Sequence, residues 1–224
     1  MERMETIIAA ATNKTTTFYN FEIRAKNDEV HGTYIEGRPI VYDSKTDLGY
    51  FDEVIEKGAL KDTNLRDVRF LVNHDTSMIP LARSRRNNEN STMQMSVDEK
   101  GLYIRVNLDT ENNSDAKSLY SAIKRGDITG MSFMFNIDSE EWENLDSDHP
   151  TRHIKKISEV LEVSAVTFPA YESTDISARA KETLDNVKTT LDSVRNATRS
   201  LDSDKELLEL EKLKAQYLYN IKGD

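Results

Sequence analysis

Three residues of this chain have the types that acyl transfer needs, and each lies in a distinctive stretch. They are His74 in "FLVNHDTSMIPLARS", Ser132 in "RGDITGMSFMFN" and Glu162 in "EVLEVSAVTFPAY". Histidine is scarce, occurring only at His31, His74, His149 and His153. His74 closes an apolar run, and an acid, a turn and a basic segment follow it. On a strand, Met131, Phe133 and Phe135 share one face, while Ser132, Met134 and Asn136 share the other, so Ser132 is turned away from the main apolar stripe. Gly130 leaves room for a close approach of backbone or substrate. Glu162 enters a strand whose Val163, Ala165, Val166 and Phe168 should be largely buried. A carboxylate there costs free energy unless it is paired or hydrogen-bonded. A serine hydroxyl is a poor nucleophile at neutral pH. It needs a base within about 2.6–3.2 Å, and the base needs an orienting partner. Backbone N–H groups must then stabilise the oxyanion. Taken singly, each residue also has a plainer account: a serine on a strand, a histidine satisfied at the core's edge, an acid at the surface.

Other chemistry is poorly supplied. The chain has no cysteine, which excludes disulfides, thiolate metal sites and cysteine nucleophiles. His149 and His153 lie four apart, but Pro150 between them argues against a helix presenting both. No HExxH-like pattern accompanies them, so neither a metal nor another cofactor is expected. The net charge of −10 over 224 residues makes a poor nonspecific nucleic-acid binder. The basic run Arg83, Arg85, Arg86 reads as a solvated loop. The apolar patch at Ile7 to Ala11 is too short for a secretory signal, and no run approaches the roughly 20 apolar residues of a membrane span. A soluble intracellular protein, with no nucleic-acid or membrane partner, is the expectation.

The elements that must position these residues fall in three parts. Residues 1–17 read as a flexible N-terminus, 18–172 as a strand-rich domain and 173–224 as a helical tail. Every glycine except Gly223 lies in the middle part. There "FYNFEIRA" alternates Tyr19, Phe21 and Ile23 against polar residues, a half-buried strand pattern. "VRFLVN" places Val68, Phe70 and Val72 on one face. "GYFDEVIEKGAL" reads as a short helix or loop ending at Gly58. "NSTMQMSVDEKGLYIRVNLD" is a hairpin turning through Asp98–Gly101. "SDAKSLYSAIKRG" is a helix with Ser114 as N-cap, a stripe of Leu119, Ala122 and Ile123, and Gly126 just past its end. "DSEEWENLDSDHP" reads as an acidic loop. "RHIKKISEVLEVSAVTFPA" holds one or two strands ended by Pro169. Repeated strands with few intervening helices predict an α+β, mainly β fold, an antiparallel or mixed barrel or sandwich with flanking helices.

In the tail, Leu184, Val187, Leu191, Val194 and Leu201 form a heptad seam with Thr198 in one slot. "SDKE", Ser203 to Glu206, is a capping-box pattern that predicts a second helix. Leu207, Leu210, Tyr217 and Ile221 continue the stripe. The seam suits either a helical hairpin packed on its own domain or a coiled-coil-like handle for a partner or for self-association.

At the three chemical stretches the sequence resembles the prohead (capsid-maturation) serine proteases of tailed bacteriophages, which are similar in fold to the herpesvirus assembly proteases. The histidine block of that family is a hydrophobic strand, Asn-His-Asp, a turn and Pro-Leu-Gly-Arg, and here it is "FLVNHDTSMIPLAR". The serine block is a helix ending in Arg-Arg-Gly-Asp, then Gly-Leu/Met-Ser and an aromatic, and here it is "AIKRGDITGMSFMF". The closing block is Leu-x-Glu-Val-Ser-x-Val-Thr-x-Pro-Ala, and here it is "VLEVSAVTFPAY". "FDEVIEKGAL" also resembles a family segment. The likeness covers about residues 18 to 180, with the blocks in the family's order. Two positions depart from the pattern: Ala82 replaces the usual glycine of Pro-Leu-Gly-Arg, and Met134 stands where glycine is common after the serine.

The resemblance implies a herpesvirus-protease-like barrel with Ser132 as nucleophile and His74 as general base. For the third member it implies an acid, Glu162, with Glu159 as fallback and then His153, because the herpesvirus enzymes use a second histidine there. It further implies a serine endopeptidase that works in the host cytoplasm inside the assembling procapsid. Its partners would be the scaffold protein and the major capsid protein, whose scaffold-like N-terminal segment it would cleave before cleaving itself. Two rivals stand beside this reading. One is a non-enzymatic scaffold or assembly protein acting through the helical tail. The other is an unrelated hydrolase using Ser132 and His74 on small esters.

Overall fold

A computed structural model describes residues 6–9, 14–19, 23–167 and 178–221, with side chains described for 23–167, 188–201 and 203–213. The expected strand alternation through Phe21, the strand end at Pro169 and the side chains of Leu184, Val187, Tyr217 and Ile221 lie outside that set. The fold is α+β and mainly β, built on two sheets.

The first sheet is organised on two long antiparallel strands, β11 (Gly130–Glu143) and β12 (Thr151–Val166). β1 (Thr6–Ala9) and β2 (Lys14–Tyr19) pair antiparallel with the free edge of β11, so part of the stretch expected to be a flexible N-terminus is strand. β6 (Asp52–Ile55) and β7 (Asp67–Val72) lie parallel to β12, extended outward by β5 (Lys45–Asp47) and β8 (Ala82–Arg85). The second sheet runs β3 (Ile23–Asp28), β4 (Gly32–Val41), β10 (Gly101–Asn107), β9 (Met93–Asp98). The two sheets share one core, in which Ile35, Ile40, Leu102 and Ile104 meet Phe70, Phe133, Phe135 and Val163. The mixed pairing expected is present, but the strands form two sheets and, among the described residues, no closed barrel.

Local chemistry explains the elements that formed as expected. The β9–β10 hairpin turns at Gly101, whose φ is +133°. A Cβ there would lie 2.1 Å from the Ile40 carbonyl oxygen, so only glycine fits. Helix α1 (Ser114–Arg125) ends at Gly126, whose φ of +83° is the left-handed cap. Its start is one residue earlier than expected. Asn113, not Ser114, is the N-cap, and its side-chain oxygen accepts from the N–H groups of Asp115 at 2.9 Å and Ala116 at 3.2 Å. Ala116, Leu119 and Ile123 are its buried residues.

Three expectations fail, the first two for reasons of long-range packing and the third for want of a helix breaker. "FDEVIEKGAL" opens with strand β6, because Val54 and Ile55 find an open edge of β12 at His153 and Ile154. The acidic stretch after Asp138 loops only over residues 144–150. Before that it continues β11 to Glu143, since Trp142 and Glu140 are buried rather than solvated. The "SDKE" capping pattern goes unused: α2 runs unbroken from Ala178 to Ile221 over 44 residues. That span contains no glycine or proline to force an exit. Leu191 and Val194 pack on Leu48, Phe51 and Trp142, while Leu201, Leu207, Leu208, Leu210 and Leu213 stay exposed.

Candidate active site

The three chemical residues converge from β7, β11 and β12. Beyond Val72 the chain leaves β7 through two consecutive left-handed residues, Asn73 (φ 52°) and His74 (φ 55°). Asparagine tolerates that conformation better than most side chains. Here Asn73 is also clamped to the end of β12. Its N–H donates to the Ala165 carbonyl at 2.9 Å, its Nδ2 donates to Thr167 Oγ1 at 3.0 Å, and its Oδ1 accepts from the Thr167 N–H at 2.9 Å. The Asp75 N–H closes the turn onto the Val72 carbonyl at 3.1 Å. This tight reversal brings the imidazole back over the sheet.

Ser132 is the third residue of β11 and stands opposite Ser164 on β12, with Met134 opposite Glu162. Partners in register share a face, so Ser132, Ser164 and Glu162 all project to the same side. His74 Nε2 lies 2.8 Å from Ser132 Oγ, and His74 Nδ1 makes a short contact with Glu162 Oε1. Ser164 Oγ donates to the other carboxylate oxygen, Glu162 Oε2, at 2.6 Å and accepts the main-chain N–H of His74 at 3.1 Å. The side chains of Glu162 and His74 are only 4% and 10% exposed, so this polar cluster is bonded internally and shielded from water. An ionised Glu162 can only accept, which puts a proton on Nδ1 and leaves the Nε2 lone pair for the Ser132 hydroxyl. Such an arrangement can take the serine proton during attack on a carbonyl and hold the resulting imidazolium beside a carboxylate.

The fallback residues lie elsewhere. Glu159 accepts from Asn64 Nδ2 at 2.8 Å and Asn136 Nδ2 at 3.3 Å, and it stands opposite Asn136 rather than beside His74. His153 is 3.1 Å from Glu56 and 3.6 Å from Glu143. His149 is instead grouped with Asp47 and Asp52, whose ligand-type atoms lie within 4.8 Å of one another. Lys45 Nζ sits 2.9 Å from Asp52 Oδ2 and already supplies a cation there. Of the two departures from the family pattern, Ala82 is buried opposite Phe70, away from the chemistry, while half-buried Met134 is the cross-strand neighbour of Glu162. Ser164 was the residue that sequence reading passed over. Its signal was its spacing, two positions after Glu162 on one strand face.

Residues 19–190 match the family described as caudovirus prohead serine protease. The chain belongs to that family. It is 31% identical over 183 residues to the prohead protease of Enterobacteria phage HK97, a match spanning 80% of this chain and 73% of that one. It is also similar to the solved capsid assembly protease of bacteriophage T4, with a TM-score of 0.40 and 14% identity over 75% of this chain and all of that one, a likeness too distant to argue from. As a prohead-family protease, this protein takes its place in phage capsid maturation.

Proposed function

We propose that this prohead-family protease is a serine endopeptidase with Ser132 as nucleophile, His74 as general base and Glu162 as the orienting acid. The observation that carries the reading is the continuous chain from Ser132 Oγ through both ring nitrogens of His74 to Glu162. Ser132 Oγ attacks the scissile carbonyl as its proton passes to His74 Nε2. The imidazolium then returns that proton to the leaving amine, and water hydrolyses the acyl-enzyme by the same route. Glu162 stabilises the imidazolium without taking its proton.

The substrates in this reading are the scaffold protein and the scaffold-like N-terminal segment of the major capsid protein, followed by the enzyme itself, all inside the procapsid. Removing those segments frees interior volume and makes maturation irreversible. The domain over 18–172 carries the chemistry. The tail over 173–224 docks into the assembling particle, pairs with a second copy, or is removed by self-cleavage. Co-expression with the neighbouring capsid gene, followed by mass spectrometry of the products, tests the reading. Defined cleavage products are expected with the wild-type chain and none with Ser132→Ala. Processing by Ser132→Ala at the wild-type rate would falsify it.

A purely structural assembly role is favoured by one observation, the row of exposed leucines at Leu201, Leu207, Leu208, Leu210 and Leu213 on α2. Deleting residues 181–224 separates the two. Loss of packaging with retained cleavage assigns the tail to docking, and unchanged packaging removes that role.

A further inference from the structure

We infer that Ser164 is a positioning residue of the catalytic site, holding Glu162 and the backbone of His74 in one arrangement through a single hydroxyl. The inference rests on the triad reading and deepens it. Ser164 is fully buried, so its hydroxyl must find partners inside the protein. It has two, and they leave its proton no choice. The His74 N–H can only donate to it, at 3.1 Å. The Glu162 carboxylate can only accept from it, at 2.6 Å. The bonds therefore run one way, from the His74 main chain through Ser164 to Glu162 Oε2. The circuit closes through Glu162 Oε1 and His74 Nδ1.

Each bond has a consequence for the imidazole. A carboxylate with one oxygen unpaired in a buried site turns to find another donor. With Oε2 tied to Ser164, Oε1 stays aimed at Nδ1, so the ring keeps the tautomer that leaves Nε2 free to accept from Ser132. His74 itself sits in a left-handed backbone, φ 55°, which a histidine side chain adopts at a cost. The Ser164 oxygen satisfies its N–H in that conformation. Ser164 also stands directly opposite Ser132 on the paired strand, so Ser132, Ser164 and Glu162 share one rigid ladder, to which the Ser164 bond ties the His74 backbone. Alanine at 164 removes both bonds and adds no bulk. Threonine keeps the hydroxyl.

The test compares wild type, Ser164→Ala, Ser164→Thr and Ser132→Ala as full chains co-expressed with the neighbouring major capsid protein. The rate of capsid-protein cleavage is followed by mass spectrometry, and the low-field His74 Nδ1 proton by NMR of the purified chains. Ser164→Ala is expected to slow cleavage about 10- to 100-fold, the range typical for removing a group that orients a functional ligand. It should also move or abolish the low-field resonance. Ser164→Thr, which keeps the hydroxyl, should recover most of the rate and should restore the resonance. Wild-type cleavage by Ser164→Ala overturns the inference. So does equal slowing by both variants with an unmoved resonance, because the loss would then come from packing. Undiminished cleavage by Ser132→Ala overturns the triad reading instead, and the resonance still reports whether Ser164 holds the His74–Glu162 pair.

Discussion

Ser132 and Glu162 engage opposite nitrogens of the same imidazole, Nε2 and Nδ1 of His74. The two acidic-side and nucleophile-side contacts come from neighbouring antiparallel strands, two register positions apart. Because one ladder carries both, the spacing between Glu162 and Ser132 is set by strand geometry rather than by loops.

Glu162→Gln tests that geometry with almost no change in volume. A glutamine can donate through its amide nitrogen to Nδ1, which would put the ring proton on Nε2 and leave nothing to accept from Ser132. Capsid-protein cleavage is expected to fall on the order of 10²- to 10⁴-fold. His74→Ala should abolish it while circular dichroism reports a folded domain.

Arg152 is the cation of a second buried cluster, under α2. Its Nε lies 2.9 Å from Glu140 and its Nη1 3.3 Å from Glu53, and Glu140 also accepts from Trp142 Nε1 at 2.9 Å. The guanidinium lies 5.7 Å from the Trp142 ring centroid and 6.0 Å from that of Phe51, the rings on which Leu191 and Val194 rest. Arg152→Met leaves buried carboxylates without their cation and is expected to cost about 3–5 kcal/mol in urea unfolding. Replacing Arg152, Glu140 and Glu53 together by apolar residues should recover most of that loss.

Two glycines separate backbone strain from steric clash. Gly126→Ala meets no atom within 4 Å, so it pays only for a left-handed alanine, about 1–2 kcal/mol. Gly101→Ala adds a collision with the Ile40 carbonyl oxygen, 2.1 Å away, and must part β10 from β4. Its midpoint in urea should fall clearly further than that of Gly126→Ala.

Acid should weaken the hairpin at β9–β10. The Arg38 guanidinium, together with the Lys100 N–H, holds the Asp98 carboxyl down to about 2 from its ordinary 3.8. A carboxyl depressed in the folded state adds stability above its unfolded value, and that stability is lost as pH falls through its folded value. The difference in melting temperature between wild type and Asp98→Asn should therefore be full above pH about 4 and shrink toward zero by pH about 2. The pair is exposed, so the difference should be a small one and should fall with added salt.

Features written in short stretches were readable from sequence. The hairpin needs a residue at Gly101 that accepts a positive φ, α1 carries its own cap residues, and "FLVNHD" is an apolar strand with its turn attached. What sequence could not reveal depended on partners far along the chain. β6 became a strand because β12 offered it an edge, and Glu140 extended β11 because Arg152 met it in the core. The surroundings of Glu159 and Glu162 are of this kind. The register of β11 with β12 slips by one residue between Met134 and Phe135, leaving Leu161 without a partner. That slip puts both glutamates on the face of Ser132, but it leaves Glu159 opposite Asn136 and Glu162 beside His74.

By itself, then, the sequence determined which residue types were available for chemistry and the local turns and caps that present them. Only the tertiary structure decided which of them meet, and it brought in Ser164. Hydrogen-bond partners of a buried group are set by strand register and sheet order. Those depend on packing free energy summed over the whole core and not on any one segment.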